Sequence, residues 1–220
     1  MPVPSRPASE AVAASQGRIY LLAKRLFDVI LASWGLVMSA PLWLVIAALI
    51  LLEDGWPVFF TDERTGRDNN RFRLLKFRSM RQGTNLVLDV PPRNDPRLTR
   101  VGRRLRSTAL DELPNLLNIL KGDMSFVGPK PLAPFVHTST DPDHGKAIED
   151  VRGYWRRCTV APGLTGLAQV YAPKDAPYRV KFRYDALYAR KASFRLDIGM
   201  IGASIARTLA GGWERMRLAP

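Results

Sequence analysis

The strongest pattern along the chain is an unbroken run of apolar positions at residues 29–52, VILASWGLVMSAPLWLVIAALILL. No charged residue interrupts this run. A helix of this length reaches about 36 Å, which exceeds the roughly 30 Å hydrocarbon core of a bilayer. Buried helices of soluble proteins are rarely so long and so apolar on every side. The pattern therefore predicts a helix that anchors the chain in a membrane.

Pro41 lies near the middle of this apolar run and predicts a bend. Proline lacks the backbone N–H of a regular helix and clashes with the preceding turn. The helix is thus expected either to span the membrane with a kink or to enter and leave on the same side. Both flanks are basic, which favours one cytoplasmic side for both ends, although Glu53 and Asp54 weaken the argument. The basic residues before the run are Arg18, Lys24 and Arg25, and those after it are Arg64, Arg67, Arg71 and Arg73.

Beyond the apolar run, short alternating segments predict strands at 58–62 and 71–80, joined by a turn-rich TGRDNN sequence as a hairpin. Leu98, Val101 and Leu105 recur at helical spacing among arginines, so a short basic amphipathic helix is expected at a membrane surface. We predict an α+β fold, mostly helical, with an N-terminal membrane helix, a small β-hairpin and amphipathic surface helices. Further helices are expected at about 111–121, 143–157, 177–191 and 196–210.

This pattern divides the 220-residue chain into three parts. Residues 1–17 are rich in Ala, Ser and Pro and are predicted to form a disordered tail. Residues 18–55 form the predicted membrane-anchoring helix, and 56–212 the predicted cytoplasmic catalytic domain.

Charge points to negatively charged partners. The chain carries 33 Lys and Arg against 20 Asp and Glu, a formal net charge of +13. Nucleic acid, anionic membrane lipid and phosphorylated substrates all satisfy this bias. A nucleic-acid-binding protein is the weaker alternative, because it leaves the apolar run unexplained and no nucleic-acid motif is present. We therefore expect no nucleic-acid partner. The single cysteine, Cys158, excludes an internal disulfide and is expected to be a core residue.

The candidate chemistry lies in residues 106–122, RSTALDELPNLLNILKG. Pro114 is tolerated only in the first turn of a helix, so the helix is expected to start near Asp111. Asp111 and Glu112 then lie at its positive end, which also attracts phosphate. One carboxylate could attack phosphorus and the other could hold Mg²⁺, while Arg106 neutralises phosphate charge. An acidic pair alone is more often structural, since helices favour acids in their first turn.

Two glycine-bearing loops accompany this stretch, at 121–131 (KGDMSFVGPKP) and 162–169 (PGLTGLAQ). No GxxxxGK[ST] and no GxGxxG sequence is present, so P-loop and dinucleotide-binding folds lack support.

Taken in order, five motifs over about residues 22–210 resemble the bacterial sugar transferase family, the small monotopic phosphoglycosyl transferases. The first is Lys24-Arg25-Leu-Phe27-Asp28, which precedes the apolar run with its central proline. The others are 76–80 (KFRSM), 110–114 (LDELP), 121–129 (KGDMSFVGP) and 162–166 (PGLTG).

The resemblance implies a re-entrant helix bent at Ala40 and Pro41, on the cytoplasmic face of the bacterial inner membrane. It implies that Asp111 attacks the β-phosphate of a UDP-sugar, releases UMP and passes the phosphosugar to polyprenyl (undecaprenyl) phosphate. The product would initiate a surface polysaccharide or glycoconjugate. Glu112 and Asp111 would bind the cofactor Mg²⁺. The substrate-binding residues on this interpretation are Arg64, Lys76, Arg78, Arg106, Asp123, Gly128, Pro129, Lys130, Pro131 and Gln169.

A catalytically inactive membrane scaffold for glycan assembly is the other alternative, and a homodimer is left open. The chain departs from the family pattern at several positions while keeping the acidic dyad. Substrate contacts are therefore expected to differ, and the sugar is not named by any motif. The departures are Ala40 for serine, Thr65 for proline, Lys130 for arginine, Ala161 for a basic residue and Leu167 for tryptophan.

Overall fold

The computed structural model describes residues 17–83, 95–134, 147–173 and 176–210, with Leu209 described through its backbone alone. Its first element is helix α1, Arg18–Asp54, which is continuous through Pro41 and is followed by Gly55 at φ 68°. The Ser39 hydroxyl donates to the Gly35 carbonyl at 2.6 Å and accepts a hydrogen bond from the Trp43 indole at 3.0 Å. These bonds satisfy the Ser39 hydroxyl and the Trp43 indole N–H, which lie two residues on either side of the proline. A bend at Ala40 and Pro41 stays a prediction.

Most of the α1 surface is apolar and exposed. Its most apolar 18-residue window has a mean hydropathy of 2.4 and is only 11% buried. A helix of the core of a soluble protein would be mostly buried, and exposed apolar area of this extent marks a surface that contacts another apolar phase. The predicted membrane association of the helix is consistent with this exposure. Its buried positions, four residues apart within each half, are Asp28, Ala32, Ile46 and Ile50.

The predicted hairpin is confirmed. Strand β1, Phe59–Thr65, pairs antiparallel with β2, Arg71–Phe77, with Phe59 opposite Phe77 and Thr65 opposite Arg71. The connection contains a 3-10 turn, Arg67–Asn69, in which Asp68 and Asn69 have positive φ. Strand β1 extends three residues beyond its predicted end, and β2 ends three residues before its predicted end.

The basic amphipathic helix is also confirmed as α2, Arg100–Thr108, which buries Gly102 and Leu105. The Thr99 hydroxyl caps it by accepting from Gly102 N at 2.8 Å. Glu53, at the end of α1, accepts from the first two backbone amides of α2 at 2.6 and 2.7 Å. An acceptor at this position satisfies amides that have no partner within the helix.

After α2 the chain turns at Ala109, which has left-handed φ 58° and ψ 17°. A 3-10 turn, Leu110–Glu112, and then Pro114 lead into α3, Asn115–Lys121. The predicted helix at 111–121 is therefore present, but its α-helical part begins at Asn115. The acidic pair lies in the preceding 3-10 turn, so the expectation that it opens the α-helix is wrong.

The remaining described chain forms a parallel pair of short strands and four helices. Strand β3, Ser125–Val127, pairs with β4, Gly163–Thr165. A single helix over the described part of 143–157 is wrong, because a 3-10 turn at Ile148–Asp150 and Gly153 at φ 101° interrupt it. The helices that follow are α4 (Tyr154–Arg157), α5 (Leu167–Tyr171), α6 (Tyr178–Lys191) and α7 (Phe194–Leu209), of which α6 and α7 confirm predictions.

The described residues form four buried apolar clusters, and α1 contributes side chains to two of them. Ala32 belongs to the cluster under β2 and α3, and Ile46 and Ile50 belong to the cluster under Phe77 and Leu105. Leu113, next to the acidic pair, packs against both clusters. The α+β, mostly helical fold is thus confirmed, and the membrane helix is part of its core.

Polar contacts fix both ends of α1 to the rest of the molecule. Near its start, the Lys24 ammonium lies 2.9 Å from Asp197, and Arg25 donates to the Ile119 and Leu120 carbonyls at 2.6 Å each. At its end, Glu53 caps α2. The domain therefore contacts α1 on both sides of Pro41.

Candidate active site

The acidic pair is placed by a sharp turn of the backbone. Ala109 adopts the left-handed conformation, which is unfavourable for a residue with a Cβ atom, and this turn separates α2 from the 3-10 turn. Asp111 is 7% exposed, whereas the Glu112 side chain is 34% exposed. The two neighbouring carboxylates therefore lie in different environments.

Two basic residues that were predicted to bind substrate reach this turn from different elements. Lys76, on β2, donates to a Glu112 carboxylate oxygen at 2.6 Å. Arg106, in the last turn of α2, donates from Nε to the Ser79 hydroxyl at 2.9 Å and interacts electrostatically with both carboxylates. The structure thus brings Lys76, Arg106, Asp111 and Glu112 close together.

The two carboxyl groups are shifted in opposite directions. Burial raises the pKa of Asp111 and the Glu112 charge raises it further, while Lys76 and Arg106 lower it without cancelling the rise. Burial also acts to raise the pKa of Glu112, but Lys76, Lys130 and Arg106 outweigh it and hold that pKa below its usual value. A pair of acids with separated pKa values is typical of sites where the two groups have different tasks. Glu112 forms an ion pair with Lys76, whereas Asp111 forms no ion pair with any described residue.

Burial lowers the pKa of Arg106, and the nearby carboxylates of Asp111, Asp95 and Glu112 oppose this change. Arginine starts from so high a pKa that it stays cationic at physiological pH. A partly desolvated guanidinium beside two carboxylates is suited to neutralising a phosphate that enters the same site.

The predicted glycine-rich loops pack against each other. A Cβ atom on Gly128 would lie 2.2 Å from the Ala161 carbonyl oxygen, and one on Gly166 would lie 2.1 Å from the Gly128 carbonyl oxygen. Only glycine allows this approach of two backbones. Pro129 and Pro131 are buried, while Lys130 between them is exposed and acts electrostatically on Glu112. The loop therefore supplies a third cation to the acidic pair.

Four other predicted substrate-binding residues have their described contacts elsewhere. Arg78 donates to the carbonyls of Asp54 and Gly55 at 2.8 and 2.6 Å, so it holds the end of α1. Arg64 pairs with Asp62 at 2.5 Å on the hairpin. Asp123 accepts a hydrogen bond from the Asn118 side chain at 3.2 Å. Gln169 donates to the Leu164 carbonyl at 3.1 Å.

Sequence reasoning missed several residues that support the site. Asn118 is 2% exposed. It accepts from Leu75 N at 3.1 Å and donates to the Arg73 carbonyl at 2.8 Å, so it holds the part of β2 that immediately precedes Lys76. A polar residue within an otherwise apolar helical stripe was the signal that could have identified it. Ser79 and Arg25 lie inside motifs already recognised, but their partners are distant in sequence.

The residues at the turn suit a divalent cation only in combination with a substrate. No group of three potential ligands (His, Cys, Asp or Glu) occurs in the part of the chain that the structure describes. Mg²⁺ commonly binds one or two carboxylates and completes its shell with substrate phosphate and water. Asp111 and Glu112 fit that donor set and do not form a protein-only metal cage.

Comparison with known proteins connects this geometry to a family. The family model described as "Bacterial sugar transferase" matches residues 19–211, which include the described helices and strands almost entirely.

Three curated relatives illustrate the match. The chain is 36% identical over 200 residues to "Exopolysaccharide production protein ExoY" of Rhizobium meliloti, which covers 84% of each protein. It is 37% identical over 201 residues to the "UDP-N-acetylgalactosamine-undecaprenyl-phosphate N-acetylgalactosaminephosphotransferase" of Aeromonas hydrophila, covering 88% of this chain and 45% of the relative. It is 38% identical over 190 residues to the "UDP-glucose:undecaprenyl-phosphate glucose-1-phosphate transferase" of Klebsiella pneumoniae, covering 83% of this chain and 39% of the relative.

Proposed function

Since the chain belongs to the bacterial sugar transferase family and is a transferase enzyme, we propose that it moves a phosphosugar from a UDP-sugar to polyprenyl phosphate. The relatives from Aeromonas and Klebsiella are named for UDP-sugar donors and undecaprenyl phosphate as acceptor. The observation that carries the proposal is the placement of Asp111, which is buried, unpaired with any described cation and surrounded by Lys76, Arg106 and Glu112. The product would begin a surface polysaccharide or glycoconjugate.

In the first step, an Asp111 carboxylate oxygen attacks the β-phosphorus of the UDP-sugar. The new O–P bond forms as the bond from that phosphorus to the bridging oxygen breaks, and UMP leaves with the bonding electrons. In the second step, a phosphate oxygen of the polyprenyl phosphate attacks the same phosphorus, and Asp111 departs as a carboxylate. A covalent intermediate divides one difficult transfer into two easier displacements.

The charge distribution supports these roles. Both substrates are anionic, and a carboxylate must approach a charged phosphorus, so cations are needed to offset repulsion. Lys76, Arg106 and Lys130 supply three positive charges around the acidic turn. The 7% exposure of Asp111 restricts water, which would otherwise hydrolyse an acyl phosphate.

We propose Mg²⁺ as the cofactor, held by Glu112 and Asp111 together with the donor phosphates. When bound, the ion would withdraw charge from the diphosphate and stabilise the departing UMP. Glu112 is the principal protein ligand on this proposal, because its depressed pKa keeps it ionised at physiological pH.

We propose further that α1 is re-entrant and that the enzyme acts at the cytoplasmic face of the inner membrane. Support comes from the contacts of α1 at both ends, through Lys24 with Asp197 and through Glu53 with the first turn of α2. A helix crossing the bilayer would carry one of these polar ends to the other side. The basic flanks favour the cytoplasm for both ends.

A UMP-release assay with a panel of UDP-sugars, Mg²⁺ and polyprenyl phosphate tests the reaction. Asp111→Asn should lower release by about 10³-fold or more, because removal of a nucleophile removes the covalent route. The matched control is Asp150→Asn, since Glu149 and Asp150 form an exposed acidic pair in another 3-10 turn. EDTA should abolish release and Mg²⁺ restore it. Wild-type rates in Asp111→Asn would exclude the proposed nucleophile.

A further inference from the structure

Lys130 is the exposed residue of an otherwise buried segment, residues 127–132. Pro129 and Pro131 on either side are buried, and the lysine between them is exposed. Each proline fixes its own φ and lacks a backbone N–H, so this segment has little freedom and few donors of its own. The position of the Lys130 ammonium therefore depends on how the loop backbone is held.

Three distant segments hold that backbone. The Gly163 amide donates to the Pro129 carbonyl at 2.9 Å, and the Thr65 amide donates to the Leu132 carbonyl at 2.8 Å. Between these, the Arg157 guanidinium donates through Nη2 to the carbonyl of Lys130 itself. Arg157 provides the side-chain contact in this set, and the other two are backbone contacts.

Arg157 is in turn fixed from two directions. Its Nε lies 2.9 Å from an Asp185 carboxylate oxygen, and both side chains are only 4% exposed. Its guanidinium carbon lies 4.9 Å from the centre of the Phe182 ring. Burying an ion pair is costly, and an apolar pair of equal volume would often stabilise the fold as well. A buried arginine with an ionic partner, an aromatic partner and a loop carbonyl is suited to holding that loop in one place.

We propose that Arg157, supported by Asp185, is a positioning residue that sets the location of the Lys130 ammonium beside the acidic turn and so governs binding of the donor diphosphate. This inference rests on the proposed function. Lys130 acts electrostatically on Glu112, so a displaced loop would move a cation away from the phosphate site. Arg157 itself contacts no reacting group on this proposal.

A double-mutant cycle between positions 157 and 130 tests the coupling in the full-length enzyme. Lys130→Met should raise KM for the UDP-sugar about tenfold. Arg157→Lys keeps the charge but loses the planar fork, and should raise KM to a similar extent with kcat less affected. The double variant should be no worse than Lys130→Met alone, because the arginine acts through the lysine. A purely structural role would give multiplicative losses.

Arg156→Met is the matched control, since Arg156 is the exposed neighbour in the same helix and should leave KM unchanged. Asp185→Asn provides a second test should Arg157→Lys fail to fold. Its amide can still accept from Arg157, and its smaller rise in KM should likewise vanish in the Lys130→Met background. Multiplicative effects in either cycle overturn the inference. If wild type and Arg156→Met release no UMP from any UDP-sugar, the proposed function fails instead.

Discussion

At the scale of single residues, the site depends on two adjacent carboxyl groups that the protein treats differently. Asp111 is buried and its pKa is raised, whereas Glu112 is paired with Lys76 and its pKa is lowered. The proposed chemistry needs both groups ionised, one to attack and one to bind a cation. Lys76 is the cation that acts most strongly on both carboxyl groups, so its removal should affect them together.

Lys76→Met should shift the acid limb of the pH profile of kcat/KM to higher pH. Without the ammonium group, burial acts unopposed by Lys76 and the pKa values of both Asp111 and Glu112 rise. The ionised forms then persist only at higher pH. The measurement is UMP release from pH 4 to 9, and Lys76→Arg is the control because it retains the charge. An acid limb that stays in place in Lys76→Met would show that neither carboxylate limits the rate.

The sequence identifies most of these residues, but it does not reveal their pairing. Asp111 and Glu112 stand out through the 110–114 motif, and Arg106 through its position just upstream. Lys76 and Glu112 are 36 positions apart, so their ion pair follows from the packing of β2 on the 3-10 turn. Arg78 belongs to the same motif as Lys76, yet it lies just beyond the end of β2 and donates to the Asp54 and Gly55 carbonyls at the end of α1.

At the scale of elements, Asn118 joins α3 to β2. Its amide oxygen accepts from Leu75 N and its amide nitrogen donates to the Arg73 carbonyl, and these bonds supply the strand with a partner on its α3 side. The same amide nitrogen donates to Asp123 at 3.2 Å. The predicted binding residue Asp123 is therefore also part of the support for Lys76.

Asn118→Asp should lower the free energy of unfolding by about 3 kcal/mol at neutral pH, because a buried carboxylate would face a carbonyl and another carboxylate. Its pKa in the folded state should be raised, so the deficit should be small at low pH and grow as pH rises above the unfolded value of about 4. Chemical denaturation in detergent measures this. Asn70→Asp, at an exposed position, is the control. Equal stability of the two variants would contradict the bridging role.

Long periodic elements were predictable and short ones were not. Helices α6 and α7 follow from sustained helical spacing, and the hairpin follows from alternation around a turn-rich sequence. Strands β3 and β4 are three residues each and pair in parallel across 38 positions, which leaves no local periodicity to detect. The start of α3 was misplaced because Pro114 also accommodates a preceding 3-10 turn.

At the scale of the whole molecule, the central question is which side of the membrane each end of α1 occupies. We expect both ends on the cytoplasmic side. Arg18→Cys and Trp56→Cys, each in a Cys158→Ala background, place one exposed thiol beside each end. An impermeant maleimide should label neither variant in intact spheroplasts and both in inverted vesicles. Labelling of one variant from the periplasmic side would establish a spanning helix.

The native Cys158 thiol is expected to react only slowly with the maleimide. It is 5% exposed in the cluster with Tyr154 and Phe182, and burial raises its pKa to about 11. A thiol that is both inaccessible and protonated reacts slowly. This agrees with the expectation from sequence that the residue belongs to the core.

Because Ala32, Ile46 and Ile50 fill two of the apolar clusters, α1 cannot be trimmed away as a dispensable tether. A truncated chain beginning after Asp54 would uncover the undersides of β2, α2 and α3 and remove the Arg25 hydrogen bonds to the Ile119 and Leu120 carbonyls. Engineering a water-soluble form of this enzyme would instead require replacing the exposed apolar residues of α1 with polar ones while keeping the residues that pack into the two clusters.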